Sequence, residues 1–239
     1  MSSLHSTVKA MVFDTFGSVV DWRGSIVRDL TKWGNENGFQ ADWTLFAEQW
    51  RSMYQPSMEA CRSGKREFTV LDVLHRESLD VLIDKFGLSK MTEAQREHVN
   101  KVWHRLDGWP DSVGGLARLK SKYIIAPLSN GNISLLTDIA KYTGLPWDLN
   151  LSTEVFRCYK PQPESYLGVC HALRLDPSEV MMCAAHNNDL LAAKNCGLKT
   201  AFWPRPTEYG PKQTDNLVAT EAWDVVAKDI RDLATQMGV

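Results

Sequence analysis

The chain is predicted to be an α/β protein, a doubly wound parallel sheet with a helical block inserted after its first strand. Three observations carry that prediction. Short apolar runs that stop at polar residues alternate with amphipathic stretches across 6–21 and 106–239. The intervening block, 22–105, has helical spacing and no strong strand candidate. A length of 239 residues suits one α/β core carrying a smaller insertion.

The elements follow in order. Residues 8–13 (VKAMVF) form an apolar run that ends at Asp14, with Gly17 close behind. That pattern predicts a buried strand delivering a carboxylate into a turn. In open α/β sheets ligands bind beyond the carboxyl ends of the strands, where Asp14 falls. In the inserted block, Trp43, Phe46, Trp50 and Met53 recur at steps of three and four, one face of a helix. Residues 70–82 suggest a second helix, apolar on more than one face.

Beyond the insertion, helices are predicted over 113–119, 133–142, 164–173 and 190–196, with Gly144 and Gly197 closing the second and fourth. Strands are predicted over 123–128, 180–185 and 199–203, with a short one at 149–152. Residues 204–216, rich in Pro, Gly and polar residues, form a long loop. The tail 222–237 is an amphipathic helix.

Composition narrows the partners. Net charge is −2 and no Lys/Arg run forms a phosphate-binding stripe, so nucleic acid is not expected. No apolar stretch approaches 18 residues, so no membrane span is expected. Residues 1–9 are polar and lack the apolar run of a signal peptide, which makes the cytoplasm the expected location. Five scattered cysteines without a C-x-x-C pair are expected to be free thiols, neither a disulfide framework nor a zinc site.

The chemistry concentrates where strands end. Asp14, Ser129-Asn130 and His186/Asp189 follow three predicted strands, and Lys160 closes a fourth segment. Parallel strands point their C-termini the same way, so these groups can converge. A carboxylate near a lysine stays ionised. Once ionised and partly desolvated, it can act as a nucleophile and split one hard displacement into two easier steps. Taken singly, each of these strings also suits an ordinary turn or helix start.

Five strings together resemble the haloacid dehalogenase superfamily, and within it the type II (S)-2-haloacid dehalogenases. They are FDTFGSVVDWR (13–23), WHRLDGWPDS (103–112), PLSNG (127–131), YKPQPESY (159–166) and AAHNNDLLAAKNCGL (184–198), in the superfamily's order. The resemblance implies a Rossmann-like core with the helical cap at 22–105. It also implies hydrolysis of short (S)-2-haloalkanoic acids to (R)-2-hydroxy acids, with water as co-substrate. Asp14 would attack C2 with inversion to give an ester, and water would then attack the Asp14 carbonyl carbon.

In that scheme Ser18 would hydrogen-bond the nucleophile, and Lys160 would position it. Asp189 would hold Lys160 or orient the water. Arg51, Asn130 and Phe202 would cradle the halide. Ser129, Asn130, Phe16 and Tyr166 would contact the substrate. Relatives are often homodimers. One departure concerns the last motif, where Ala184 and His186 stand at positions that are Ser and Asn in some members. His186 is then a candidate hydrogen-bond partner or base for the water.

No cofactor or metal is implied. The superfamily's phosphatases carry D-x-D at the first strand and use further acidic residues to bind Mg²⁺, a hard cation that takes oxygen ligands. Here the second aspartate is replaced by Phe16, and 184–189 contains one carboxylate, Asp189. A halide leaving group needs no protonation, so both losses fit dehalogenation. The alternatives are a Mg²⁺-dependent phosphatase and a hydrolase that opens a strained-ring acid through the same aspartyl ester.

Overall fold

In a computed structural model, residues 4–239 are described. The first three residues of the polar N-terminal run lie outside that range. The chain begins with α1 (Leu4–Thr7), β1 (Ala10–Phe13) and β2 (Val20–Asp21). Five helices follow: α2 (Trp22–Asn37), α3 (Trp43–Ser52), α4 (Tyr54–Arg62), α5 (Leu71–Lys85) and α6 (Glu93–Asn100). Next come β3 (Asp107–Gly108), α7 (Ser112–Lys120), β4 (Ile124–Pro127), α8 (Ile133–Thr143) and α9 (Pro163–Leu173). The chain closes with β5 (Val180–Ala184), α10 (Asn187–Asn195), β6 (Lys199–Phe202), β7 (Val225–Val226) and α11 (Ile230–Gln236).

Five strands form one parallel sheet in the order β4-β1-β5-β6-β7. The chain leaves β1 for β4 on one side, then crosses to β5 on the other. The order therefore reverses at β1, and the crevice beyond the end of β1 is the usual ligand position in such a sheet. Side chains of β1 alternate between two apolar cores: Met11 and Phe13 join one, Ala10 and Val12 the other. Helices α7, α8 and α11 cover the first face through Leu116, Leu119, Leu135, Ile139 and Leu233. Helices α9 and α10 cover the second through Tyr166, Val169, Leu190 and Ala193. Helices on both faces make the sheet doubly wound, as the sequence predicts.

The insertion is helical, also as predicted. It leaves and re-enters through a two-stranded antiparallel ribbon of β2 and β3, two residues each and too short to register as a sequence pattern. Helix α3 turns Trp43, Phe46 and Trp50 inward, while Val73 and Val81 of α5 are exposed. Between insertion and sheet lies an aromatic layer. Trp103 meets Phe16 edge-on at 5.7 Å and stacks with Trp22 at 6.3 Å. Such pairs contribute ~0.5–1.5 kcal/mol each beyond the area they bury. All five cysteines are free, and no helix among the described residues is long and apolar enough to cross a membrane.

Two predicted elements differ. No strand forms at 149–152; that stretch is loop, leading into a 3₁₀ turn at Thr153–Phe156. The Asp148 carboxylate accepts the Ile125 N–H at 2.9 Å, the donor a further strand would need. In the tail, helix begins only at Ile230, because Val225–Val226 pair with β6 and Asp229 caps α11 by accepting from the Asp232 N–H.

The loop after β6 is pinned by Arg205, which is 7% exposed. Its guanidinium makes a two-pronged pair with Asp111 at 2.8 and 2.9 Å, and Nε donates to the Ser18 carbonyl at 3.0 Å. Asp111 also accepts the Ile230 N–H at 2.8 Å. Replacing Asp111 with Ala strands a buried guanidinium. Asp111→Ala is expected to lower stability by roughly 3–5 kcal/mol in urea unfolding at pH 7.

Candidate active site

The sheet delivers its polar groups to one place. Asp14 follows β1, and its N–H continues the ladder by donating to the Cys183 carbonyl at 3.0 Å. Its Oδ1 accepts from Lys160 Nζ at 2.9 Å. Its Oδ2 accepts from the Ser18 hydroxyl at 2.7 Å and faces His186 Nδ1 at 2.9 Å. The Ser18 oxygen in turn accepts the Ala185 N–H at 2.9 Å, so its proton is left for Asp14. Lys160 reaches Asp189 as well, at 2.6 Å, and the second Asp189 oxygen accepts from the Tyr166 hydroxyl at 2.6 Å.

His186 extends the row on the other side. Its Nε2 lies 2.8 Å from a Glu208 oxygen, and Glu208 also accepts from the Trp22 indole at 3.1 Å. The result is an alternating chain of charge: Glu208, His186, Asp14, Lys160, Asp189. Glu208 comes from the loop after β6 and is 1% exposed. It reaches this position because residue 17 is glycine. Gly17 has φ +84°, and a Cβ there would stand 2.0 Å from Glu208 Oε1.

These contacts set the charge states. Burial by itself raises the Asp14 carboxyl, but the Lys160 ammonium, then His186 and the Ser18 hydroxyl, outweigh it and hold it well below the usual carboxylate range. Burial lowers His186, yet Glu208 and Asp14 overcome that and push the imidazole well above its ordinary 6.5. His186 is therefore an imidazolium donating from both nitrogens in the resting site. In that state the ring donates to both carboxylates and accepts no proton.

Beyond this row opens a cleft of about 1260 Å³, lined in part by Asp14, Phe16, Trp22, Arg51, Tyr54, Asn130, Lys160 and His186. Asn130 Oδ1 accepts the Lys160 N–H at 2.8 Å, which leaves its NH₂ directed at Tyr54 and the cleft. Arg51 stands inside an aromatic cage, its guanidinium carbon 4.2 Å from the Tyr54 ring centre, 5.4 Å from Trp22 and 6.0 Å from Phe16. Among the described residues no carboxylate forms an ion pair with it; the guanidinium hydrogen-bonds Tyr209, and its buried Nη1 has no partner. A buried cation with one open donor beside aromatic rings suits a small anion.

Three sequence-predicted residues have different surroundings from those expected. Ser129 is fully buried and its hydroxyl accepts from the Gly131 N–H at 3.3 Å, outside the cleft lining. Phe202 belongs to the core beneath the sheet with Val12 and Tyr166, not to the cleft wall. Tyr166 borders the cleft but spends its hydroxyl on Asp189. Tyr54, Trp22, Tyr209 and Glu208 were not legible as site residues. Aromatic residues in helices usually mean core, and a glutamate in a Pro/Gly-rich loop usually means solvent. No cluster of three or more His, Cys, Asp or Glu side chains among the described residues is arranged to hold a metal. The Lys160 ammonium lies between Asp14 and Asp189.

With this geometry in hand, comparison with known proteins is specific. The family model described as haloacid dehalogenase-like hydrolase matches residues 8–197. The chain belongs to the haloacid dehalogenase-like hydrolases. Among solved structures, this family member is similar to the defluorinating L-2-haloacid dehalogenase Rha0230, with 48% identity, TM-score 0.94, and 97% of this chain and 96% of that one covered. It is also similar to the L-2-haloacid dehalogenase PA0810, with 45% identity, TM-score 0.94, and 96% and 98% covered. A more distant relative is the (S)-2-haloacid dehalogenase 4A of Burkholderia cepacia, 27% identical over 95% of this chain and 99% of that protein.

The raised His186 pKa has a consequence for stability. Its contribution is fully present below about pH 6.5, the ordinary histidine value, and is lost as pH rises through the raised folded value. His186→Gln is therefore expected to destabilise the protein most at pH 6 and progressively less toward alkaline pH, measured by urea unfolding across that range.

Proposed function

We propose that this hydrolase acts on carbon–halide bonds in short (S)-2-haloalkanoic acids and releases (R)-2-hydroxy acids through an ester on Asp14, without a metal. The observation that carries the reading is the pairing of two opposite features in one cleft. One is Asp14, ionised and buried beside Lys160. The other is Arg51, a caged guanidinium with an unsatisfied donor. A displacement at C2 needs a carboxylate on one side of the carbon and a home for the departing anion on the other.

The contacts support one order of steps. Oδ2 is occupied by Ser18 and faces His186, whereas Oδ1 has only Lys160. Oδ1 thus keeps a lone pair for attack on C2, and Oδ2 becomes the ester carbonyl oxygen, still held by Ser18. Arg51 and the Asn130 amide receive the halide. Asp189 and Tyr166 fix Lys160 rather than touch substrate. Phe16 occupies the position where an aspartate would protonate a phosphate leaving group, and halide needs no such acid. The helices of 22–105 form the cap that encloses the substrate.

The test is halide titration in EDTA with (S)- and (R)-2-chloropropionate, chloroacetate and fluoroacetate, beside an Asp14→Asn variant. The expected result is halide from the (S) enantiomer and chloroacetate, inverted hydroxy acid, and no release by the variant. Fluoroacetate is included because of the 48% identity to a protein described as defluorinating. Phosphate release from phosphomonoesters on adding Mg²⁺, with no halide from any acid, would overturn the proposal.

A further inference from the structure

The alternating charge chain contains one carboxylate that alkylation and halide capture do not use. Glu208 is 1% exposed, comes from the loop after β6, and hydrogen-bonds His186 and the indole of Trp22, the first residue of the insertion. Burying a carboxylate this deeply is costly unless it is paired. Its pairing partner, His186, has its other nitrogen on the nucleophile. A carboxylate, an imidazole and a reacting group in line are the arrangement in which a carboxylate fixes the tautomer of a histidine base.

The charge state blocks that role in the resting site, and the reaction removes the block. Two carboxylates hold the His186 proton on Nδ1. Forming the ester neutralises one of them, Asp14. Once deprotonated, Nδ1 and the ester carbonyl oxygen are two acceptors 2.9 Å apart, a distance at which their lone pairs repel. A water that donates to Nδ1 relieves the contact, and its oxygen is then beside the Asp14 carbonyl carbon. Glu208 keeps Nε2 protonated throughout. Of the other ionisable groups nearby, Lys160 and Asp189 lie beyond Asp14, and Arg51 and Asp21 face Glu208.

We infer that Glu208 is the positioning residue of a Glu208–His186 dyad that switches on only after alkylation and activates water for ester hydrolysis. The inference rests on the aspartyl-ester reading above. The protons balance. In the first half-reaction the C2–halogen bond breaks, halide leaves with the electron pair, and His186 sheds its Nδ1 proton to solvent. In the second, water attacks the carbonyl carbon and gives one proton to Nδ1. The bond between that carbon and the ester oxygen breaks, and the 2-hydroxy acid leaves with the proton from Nδ1. Water's second proton, on the regenerated Asp14 carboxyl, returns to Nδ1, restoring the imidazolium. The net result is one halide and one proton per turnover, both released before the hydroxy acid.

The experiment is rapid quench of wild type, Glu208→Gln and Glu208→Asp with (S)-2-chloropropionate, following halide, hydroxy acid and the mass of the Asp14 peptide. Glu208→Gln is expected to give a halide burst of one per site, accumulate the ester, and hydrolyse it about 100-fold more slowly or worse. Glu208→Asp should recover part of that loss. In wild type, a weakly buffered indicator should report one proton with the burst, ahead of hydroxy acid, a readout independent of how well any variant folds. Ester hydrolysis by Glu208→Gln at the wild-type rate, or a wild-type proton that appears only with hydroxy acid, overturns the dyad alone. Absence of halide and ester in wild type overturns the aspartyl-ester reading and the dyad with it.

Discussion

The ion pair between Lys160 and Asp14 is the constraint on which the rest of the site depends. A carboxylate this buried would take up a proton if left alone, and a protonated acid is no nucleophile. Lys160 prevents that, but a buried ammonium brings its own desolvation cost. Asp189 meets it from the far side, and Tyr166 satisfies the oxygen of Asp189 that Lys160 does not reach. Each group in the row is there because its neighbour requires it. The same logic runs the other way through His186 to Glu208.

The fold supplies the meeting point cheaply because the sheet order reverses at β1. Asp14, Asn130 and His186 come from the ends of three adjacent parallel strands, so rigid backbone sets their spacing. Lys160 arrives from the loop before α9 and is tied in by its own N–H to Asn130. Arg205 and Asp111 clamp the loop that carries Glu208 to the backbone of Ser18. The geometry of the site and the packing of the sheet's far edge are therefore one construction.

Much of this was readable from residues alone. The strands at 8–13, 123–128 and 180–185 stand out because buried parallel strands are apolar on both faces and stop abruptly at polar groups. Asp14, Asn130 and Asp189 follow from their positions just beyond those ends, Lys160 from the end of a fourth segment, and Ser18 from the family resemblance of its string. Other parts depend on tertiary contacts that leave no local mark. The edge at Asp148 is decided by one side chain taking one N–H. Ser129 and Phe202 are buried outside the cleft lining, a difference that motif matching does not resolve. Tyr54 and Trp22 look like core residues because they are core residues, with Arg51 packed against their faces. Glu208 carries no sequence signal, since its burial results from a gap left at Gly17.

That gap links two positions far apart in the chain. Any side chain at 17 would strike the Glu208 carboxylate, and losing that carboxylate would leave the His186 imidazolium with a single counter-ion. Gly17 also has φ +84°, a backbone conformation that strains any side chain whatever stands at 208. In descent from a common ancestor the dependence therefore runs one way: glutamate at 208 requires glycine at 17, whereas glycine at 17 does not require glutamate at 208.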